Sequence, residues 1–209
     1  MPYNKKFISQ TAHRNGLENL LRKHLPTLDG DILDIGSKNR RYDHLLSKKP
    51  TAIDISPNET SDVLPGDMNS LPFDDSSFDS IMAIEVFEYT SSPQKAISEI
   101  IRVLKNNGTF VMSVPFLYPY HDDYLRFTEN YLRKILLKKF LKIEIIPIGN
   151  SLTIIADIVR STIFREKNII LKCLLAPIYL LFLSFITLTK NRKNEKRKYV
   201  SGYFIIAKK

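Results

Sequence analysis

"ILDIGSKNRRY", residues 32–42, decides how the rest of the chain is read. A short apolar run carries Asp34 near its end, Gly36 supplies a turn, and the polar residues beyond it read as the start of a helix over about 39–48. Strand, turn and helix in that order begin the nucleotide sites of open α/β sheets, where ligands lie at the carboxyl ends of the strands. Loops of that kind normally carry two or three glycines, and this one carries a single glycine.

The missing glycines sort the cofactors. A dinucleotide sets its pyrophosphate against backbone N–H groups at a helix N-terminus, which needs close backbone approach. After Gly36 come Ser37, Lys38, Asn39 and Arg40, so G-x-G-x-x-G is absent, and no G-x-x-x-x-G-K-[ST] loop for a nucleoside triphosphate occurs either. S-adenosylmethionine bears no phosphate, and its ammonium and sulfonium centres suit nearby carboxylates. Asp34 ends the first strand, and Asp54 ends the second, 18 residues beyond Gly36, where an acid can accept from both ribose hydroxyls. Asp67 in "LPGDMNSLPF" can accept from an adenine amine with Met68 packed on the base. Each acid alone is equally well a turn or capping residue; three in register with strand ends favour the ligand.

Further apolar runs read as strands at 31–35, 51–55, 61–64, 79–84, 108–114, 142–148 and 202–208. Most are apolar on both faces, as in a parallel sheet covered by helices on both sides. Helices are expected at about 16–25, at 93–105 with Ser92 as N-cap and Pro93 in the first turn, and at 129–140 capped by Thr128. Ile97, Ile100, Ile101 and Leu104 form an apolar stripe on the second of these, read as core.

Taken together, "ILDIGS", "IDIS", "GDMNSLPFDDSSFDSIMAIEVFEY", "SPQKAISEIIRVLKNNGTFVMSVPF" and "YLRFT" resemble the class I S-adenosylmethionine-dependent methyltransferases, in particular small enzymes of bacterial surface polysaccharide biosynthesis. The resemblance covers roughly 30–148 with the last strand added. It implies an α/β, Rossmann-like fold with a seven-stranded, mostly parallel sheet whose last strand is antiparallel, and one methyltransferase domain over 1–209. By the same pattern Asp34 and Gly36 line the methionine end, Asp54 holds the ribose, Asp67 and Met68 hold the adenine, and Glu85 forms the pocket floor. Two positions depart from it: Lys38 stands at the second glycine of the usual G-x-G, and Tyr89 stands where relatives often have histidine.

Methyl transfer to a hydroxyl gains from alignment of the acceptor and from a base. "VPFLYPYHDDYLRFT", 114–128, leaves the fifth strand on the cofactor side. His121 is the candidate base, with Asp122 or Asp123 to orient it. Tyr118, Tyr120 and Tyr124 suit the C–H faces of a sugar, and Arg126 suits an anionic acceptor or an ion pair with a neighbouring aspartate or Glu129. No metal-ligand spacing is present, and the reaction requires none.

The net charge of +9 concentrates in "KNRKNEKRK", 190–198, which holds six of the 31 basic and one of the 22 acidic residues, so the rest of the chain carries +4. Before it lies "IILKCLLAPIYLLFLSFITLT", 169–189, with Lys172 as its only charge and a helical length of roughly 31 Å. If the sixth and seventh strands share a sheet, both ends of this segment return to one side, which a single crossing does not allow. A hairpin bent near Pro177 or helices lying in the interface satisfy that constraint, and 149–198 is read as an apolar and basic helical insertion meeting an anionic membrane surface. An apolar cover for the sheet or a dimer interface is the alternative. A lone Cys173 and an N-terminus lacking a signal-peptide apolar core give the expectation of a cytoplasmic protein, peripheral or monotopic at the inner membrane.

The expected acceptor is a hydroxyl of a small-molecule sugar or a lipid-linked glycan. The rivals are a noncatalytic membrane-associated protein on the same fold and a nucleic-acid methyltransferase. The second lacks support, because the chain has neither an N-P-P-Y or D-P-P-Y type motif nor a recognisable nucleic-acid module, so no specific nucleic acid is expected.

Overall fold

The computed structural model describes residues 10–58, 62–118, 122–165, 167–189 and 199–209. One compact unit comprises Asn19–Pro115, Asp122–Ile146 and Tyr203–Lys209; the remaining described residues, chiefly within Pro147–Gly202 together with those before Asn19 and just after Pro115, form the other.

The elements are α1 (Ala12–His24), β1 (Ile32–Ile35), β2 (Thr51–Asp54), β3 (Leu64–Pro65), β4 (Phe78–Ile84), α2 (Pro93–Val103), β5 (Leu104–Pro115), α3 (Glu129–Leu136), β6 (Lys142–Ile148), α4 (Ser151–Arg165), α5 (Ile169–Thr189) and β7 (Gly202–Lys208). Seven strands form one sheet in the order β3-β2-β1-β4-β5-β7-β6. β1 pairs in parallel with β2 and β4, β2 with β3, and β4 with β5. β7 runs antiparallel: Phe116 N–H donates to Ser201 O and Lys209 N–H to Gly108 O, so its start meets the end of β5 and its end meets the start. The seven-stranded mixed sheet expected from the sequence is the one observed.

The central strands are apolar on both faces because both faces are covered. Leu33, Ile53, Ile81, Met82, Phe110 and Phe204 are fully buried. α2 presses Ala96, Ile97, Ile100 and Val103 inward; of the expected stripe Ile97 and Ile100 lie on this face, while Ile101 is only half-buried. Leu104 is buried as the first residue of β5 instead of the last turn of the helix. Phe87 meets Phe110 and Phe127 at 6.5 and 6.4 Å between ring centroids, and Phe127 stacks on Tyr131 at 5.9 Å. This aromatic row fastens the turn after β4 and the segment before α3 to the sheet.

Several expectations are corrected. The helix expected over 39–48 is only a 3₁₀ turn, Asp43–Leu45. Arg40 sits at φ 48°, outside the right-handed region, and its guanidinium bonds Asp43 Oδ2, Pro50 O and Asp62 O, contacts that a helix starting at 39 would not allow. The strand expected at 61–64 is the two-residue edge strand β3, and 59–61 lie outside the described residues. α1 starts earlier and α3 ends earlier than expected, and Ser92 makes no side-chain cap although Pro93 opens α2 as read. Thr128 does cap α3, accepting from Tyr131 N–H at 3.3 Å.

The apolar insertion forms two helices, and α5 is one continuous helix through Pro177, so of the two arrangements considered the hairpin turning at Pro177 is not the one found. The reversal falls instead between α4 and α5, where Leu152, Ala156 and Ile163 pack against Leu175 and Tyr179. Leu175 and Tyr179 flank Pro177 on the packed face, so contact with α4 holds the helix on both sides of the missing N–H donor. Among the described residues no helix is long and apolar enough to cross a membrane.

Candidate active site

The parallel register places the expected cofactor residues on adjacent strand tips. Asp34 pairs with Ala52 on one side and Met82 on the other, and Ile35 pairs with Ile53 and Ala83. One step further along, Gly36 stands level with Asp54 and Ile84, and Glu85 follows as β4 ends. Asp67 comes two residues after Pro65, the partner of Asp54. Asp34, Gly36, Asp54, Asp67, Met68 and Glu85 therefore gather at one end of the sheet, within one compact unit.

The opening loop has a specific reason for one glycine. Gly36 adopts φ +78°, and a Cβ there would lie 2.3 Å from Cγ2 of Val86. Its N–H donates to Ile53 O at 2.8 Å, and the Ser37 N–H donates to the same oxygen at 3.1 Å. The two N–H groups that would begin a phosphate cradle are thus bonded to the sheet, and no helix N-terminus follows them. Lys38, at the missing second glycine, is exposed, so its side chain extends away from packed structure.

The carboxylates differ in environment. Asp34 is buried, and that burial pushes its carboxyl up to about 7, with Asp43 and Asp54 adding to the rise and the Ser37 hydroxyl and Arg40 opposing it. Asp54 accepts from Ser56 N–H through Oδ1 at 2.8 Å, fixing the carboxylate at the tip of β2. Asp67 is exposed and its Oδ1 accepts from both the backbone and side chain of Asn69, while Met68 beside it is buried. Glu85 holds φ +54°, a left-handed conformation that costs a non-glycine residue about 1–2 kcal/mol.

Residues not marked out in the sequence hold this end together. Arg40 ties the Gly36 loop to the approaches of β2 and β3. Arg102 of α2 bonds the carbonyls of Leu71 and Phe73 and pairs with Glu99 and Asp75, and Glu99 also accepts from Leu71 N–H, so one helix clamps the loop that presents Asp67. Thr90 donates to Asn69 Oδ1, joining that loop to the exit of β4. Glu88 is fully buried, and among the described residues neither of its carboxyl oxygens finds a hydrogen-bond partner. Burial, then Glu85 and Asp123, push its carboxyl up to about 8 against the pull of Arg126. No periodicity flags Glu88, because it lies in a single 3₁₀ turn, Phe87–Tyr89.

The expected acceptor residues are divided. Asp122, Asp123, Tyr124 and Arg126 belong to the same unit as the strand tips. Tyr124 and Leu125 both donate backbone N–H groups to Glu88 O at 3.1 Å, which seats this segment over the turn after β4. Asp122 has φ +65°, Tyr124 is 78% exposed, and Arg126 pairs with Asp123 at 2.5 Å, one of the two partners considered for it. Glu129, the other, pairs with Arg133. Tyr118 lies in the other unit, its ring 4.5 Å from that of His13 and its hydroxyl 3.1 Å from Thr11 Oγ1. Tyr120 and His121 lie outside the described residues. Among the described residues no group of acids, histidines or cysteines could hold a metal ion.

These residues fit S-adenosylmethionine. A buried acid beside a loop whose N–H groups are occupied offers a place to a cation and none to a pyrophosphate. Comparison with known proteins bears on the same residues. Residues 33–112 match the family described as a methyltransferase domain. No curated protein sequence matches the chain. Among solved structures, an S-adenosylmethionine-dependent methyltransferase of Thermotoga maritima, described as a possible histamine N-methyltransferase, is 16% identical, with TM-score 0.61 over 95% of this chain and 91% of that one. Phosphoethanolamine N-methyltransferase 2 of Haemonchus contortus, solved with S-adenosyl-L-methionine, is 19% identical, with TM-score 0.57 over 94% of this chain and 52% of the other. The 4+2 cyclase SpnF is 18% identical, with TM-score 0.61 over 92% and 80%. A fold that also serves a cyclase assigns no reaction by itself. The domain match over residues 33–112 and the chemistry of the strand tips together support an S-adenosylmethionine-dependent methyltransferase.

Proposed function

We propose that the acceptor is a hydroxyl of a sugar, free or carried on a lipid, as in the assembly of a surface polysaccharide. The observation that carries the reading is the seating of the 122–126 segment: two N–H groups on Glu88 O bring acids and an exposed tyrosine beside the tip of β4, where Glu85 stands. When bound, S-adenosylmethionine supplies a methyl group on a positively charged sulfur, open to in-line attack by an oxygen. Asp34 and Gly36 hold the methionine end, Asp54 the ribose, and Asp67 with Met68 the adenine. Tyr124 would lie against the sugar, and His121, with Asp122 or Asp123 to orient it, would accept the hydroxyl proton as the C–O bond forms and the methyl–sulfur bond breaks. Arg126, already paired with Asp123, orients that acid instead of binding a free anion.

Methyl transfer from radiolabelled S-adenosylmethionine to a panel of sugar nucleotides and lipid-linked glycans tests the acceptor, with amines as the competing class. Label entering only amines would overturn the hydroxyl reading. Cofactor binding has its own test. Asp34 is largely protonated below about 7 in the free protein, and a cation beside it favours the carboxylate, so binding releases a proton. Affinity should rise with pH up to about 7, by as much as about tenfold per unit, and Asp34→Asn should flatten the profile. An unchanged profile in the variant would remove Asp34 from the cofactor site.

A further inference from the structure

We propose that the outward face of the α4–α5 hairpin is a docking surface for an anionic lipid membrane. The two helices meet through Leu152, Ala156 and Ile163 on one and Leu175 and Tyr179 on the other. That contact leaves a second apolar face on α5, turned about 140° away by the 3.6-residue period. Ile170, Leu174, Ile178 and Leu181 occupy it and are 70, 64, 63 and 73% exposed. Between them on the same face lie Cys173, Pro177 and Ser184, all exposed and none charged. α4 continues the surface with Ile155, Ile158 and Val159, again exposed.

A helix apolar on every side is ordinarily buried. Among the described residues, α4 covers one side of α5 and the other side is exposed. Charge identifies the occupant. Lys167 is exposed between the two helices, and the sequence directly after α5 is "KNRKNEKRK", with six basic residues and one acidic. A second copy of the chain would bring a second basic run to the same interface, whereas acidic headgroups at the edge of an apolar layer attract it. α4 follows β6 and α5 precedes β7, neighbours in the sheet, so both ends of the hairpin return to one side. Among the described residues no helix is long and apolar enough to cross a membrane, as suits helices lying in an interface. The proposal concerns a surface within one unit and is independent of the identity of the methyl acceptor.

The chain's single cysteine makes the test direct, because Cys173 is exposed on the proposed face. The full chain labelled at Cys173 with an environment-sensitive fluorophore is titrated with vesicles of phosphatidylcholine alone and of phosphatidylcholine with phosphatidylglycerol. Expected are a blue shift with the anionic vesicles, weakening as salt rises, and co-flotation of the protein. Replacing Ile170, Leu174, Ile178 and Leu181 together by serine should lower vesicle affinity at least about tenfold, with binding of S-adenosylhomocysteine retained as the check on folding. Replacing the six basic residues of 190–198 by glutamine should remove the salt dependence. No shift and no flotation at low salt would overturn the proposal. So would sedimentation showing a dimer that the serine variant dissolves while the wild type ignores vesicles, because the face would then belong to a second copy.

Discussion

Glu88 is the residue whose environment departs furthest from its chemistry. Its carboxyl is enclosed, has no hydrogen-bond partner among the described residues, and sits near Glu85 and Asp123. The folded state therefore holds the proton to about 8, while the unfolded chain releases it near 4.5. A group bound more tightly to its proton when folded stabilises the fold fully below 4.5, and that contribution is lost as pH rises through about 8. Urea denaturation across this window should show wild-type stability falling relative to Glu88→Gln, with a difference on the order of a few kcal/mol at the alkaline end. Parallel curves for the two proteins would show that Glu88 ionises without cost. Sequence offered no sign of this residue, since "EVFEY" contains two glutamates, and only tertiary packing separates half-buried Glu85 from enclosed Glu88.

Among the elements, the first turn of α1 depends on a distant one. Asp157 of α4 accepts from Ala12 N–H at 2.6 Å and from His13 N–H at 3.0 Å, supplying the helix cap that Thr11 alone would otherwise provide for the following turn. His13 Nδ1 lies 2.8 Å from Ser201 Oγ, which itself donates to Ile148 O, so the ring nitrogen carries the proton and donates. Asp157 is buried, and burial raises its carboxyl pKa even though both N–H donors pull it down. Asp157→Ala leaves the buried N–H of His13 and the part-buried N–H of Ala12 without their acceptor and should cost about 1–3 kcal/mol, read by thermal or chemical unfolding. A loss under half of that would mean that water replaces the carboxylate. The sequence shows α1 and α4 as separate helical patterns; a cap reaching across more than 140 residues is invisible in either.

At the scale of the molecule, the cofactor should act as a stabiliser as well as a reactant. S-adenosylhomocysteine at about one hundred times its Kd should add about 2.7 kcal/mol to the stability of the unit that holds the strand tips, seen as a rise in Tm. Absence of any rise at that concentration would contradict the assignment of the strand tips. Mean hydropathy of −0.15 and a net charge of +9 describe an ordinary basic protein. Neither value reveals that exposed aliphatic side chains are gathered on one hairpin, a feature that emerges once the neighbours of α5 are known.

By itself the sequence determined the alternation of strands and helices and the acids at three strand ends, because those rest on local periodicity, while the mixed seven-stranded sheet was what the family resemblance implied. Tertiary structure alone decided the rest. Arg40 bonds to distant carbonyls in place of the helix expected after Gly36, α5 continues through Pro177 against α4, and burial raised the carboxyls of Asp34 and Glu88. Each of these outcomes depends on which groups meet across long separations and on how much water they lose, and neither quantity is written in any window of residues.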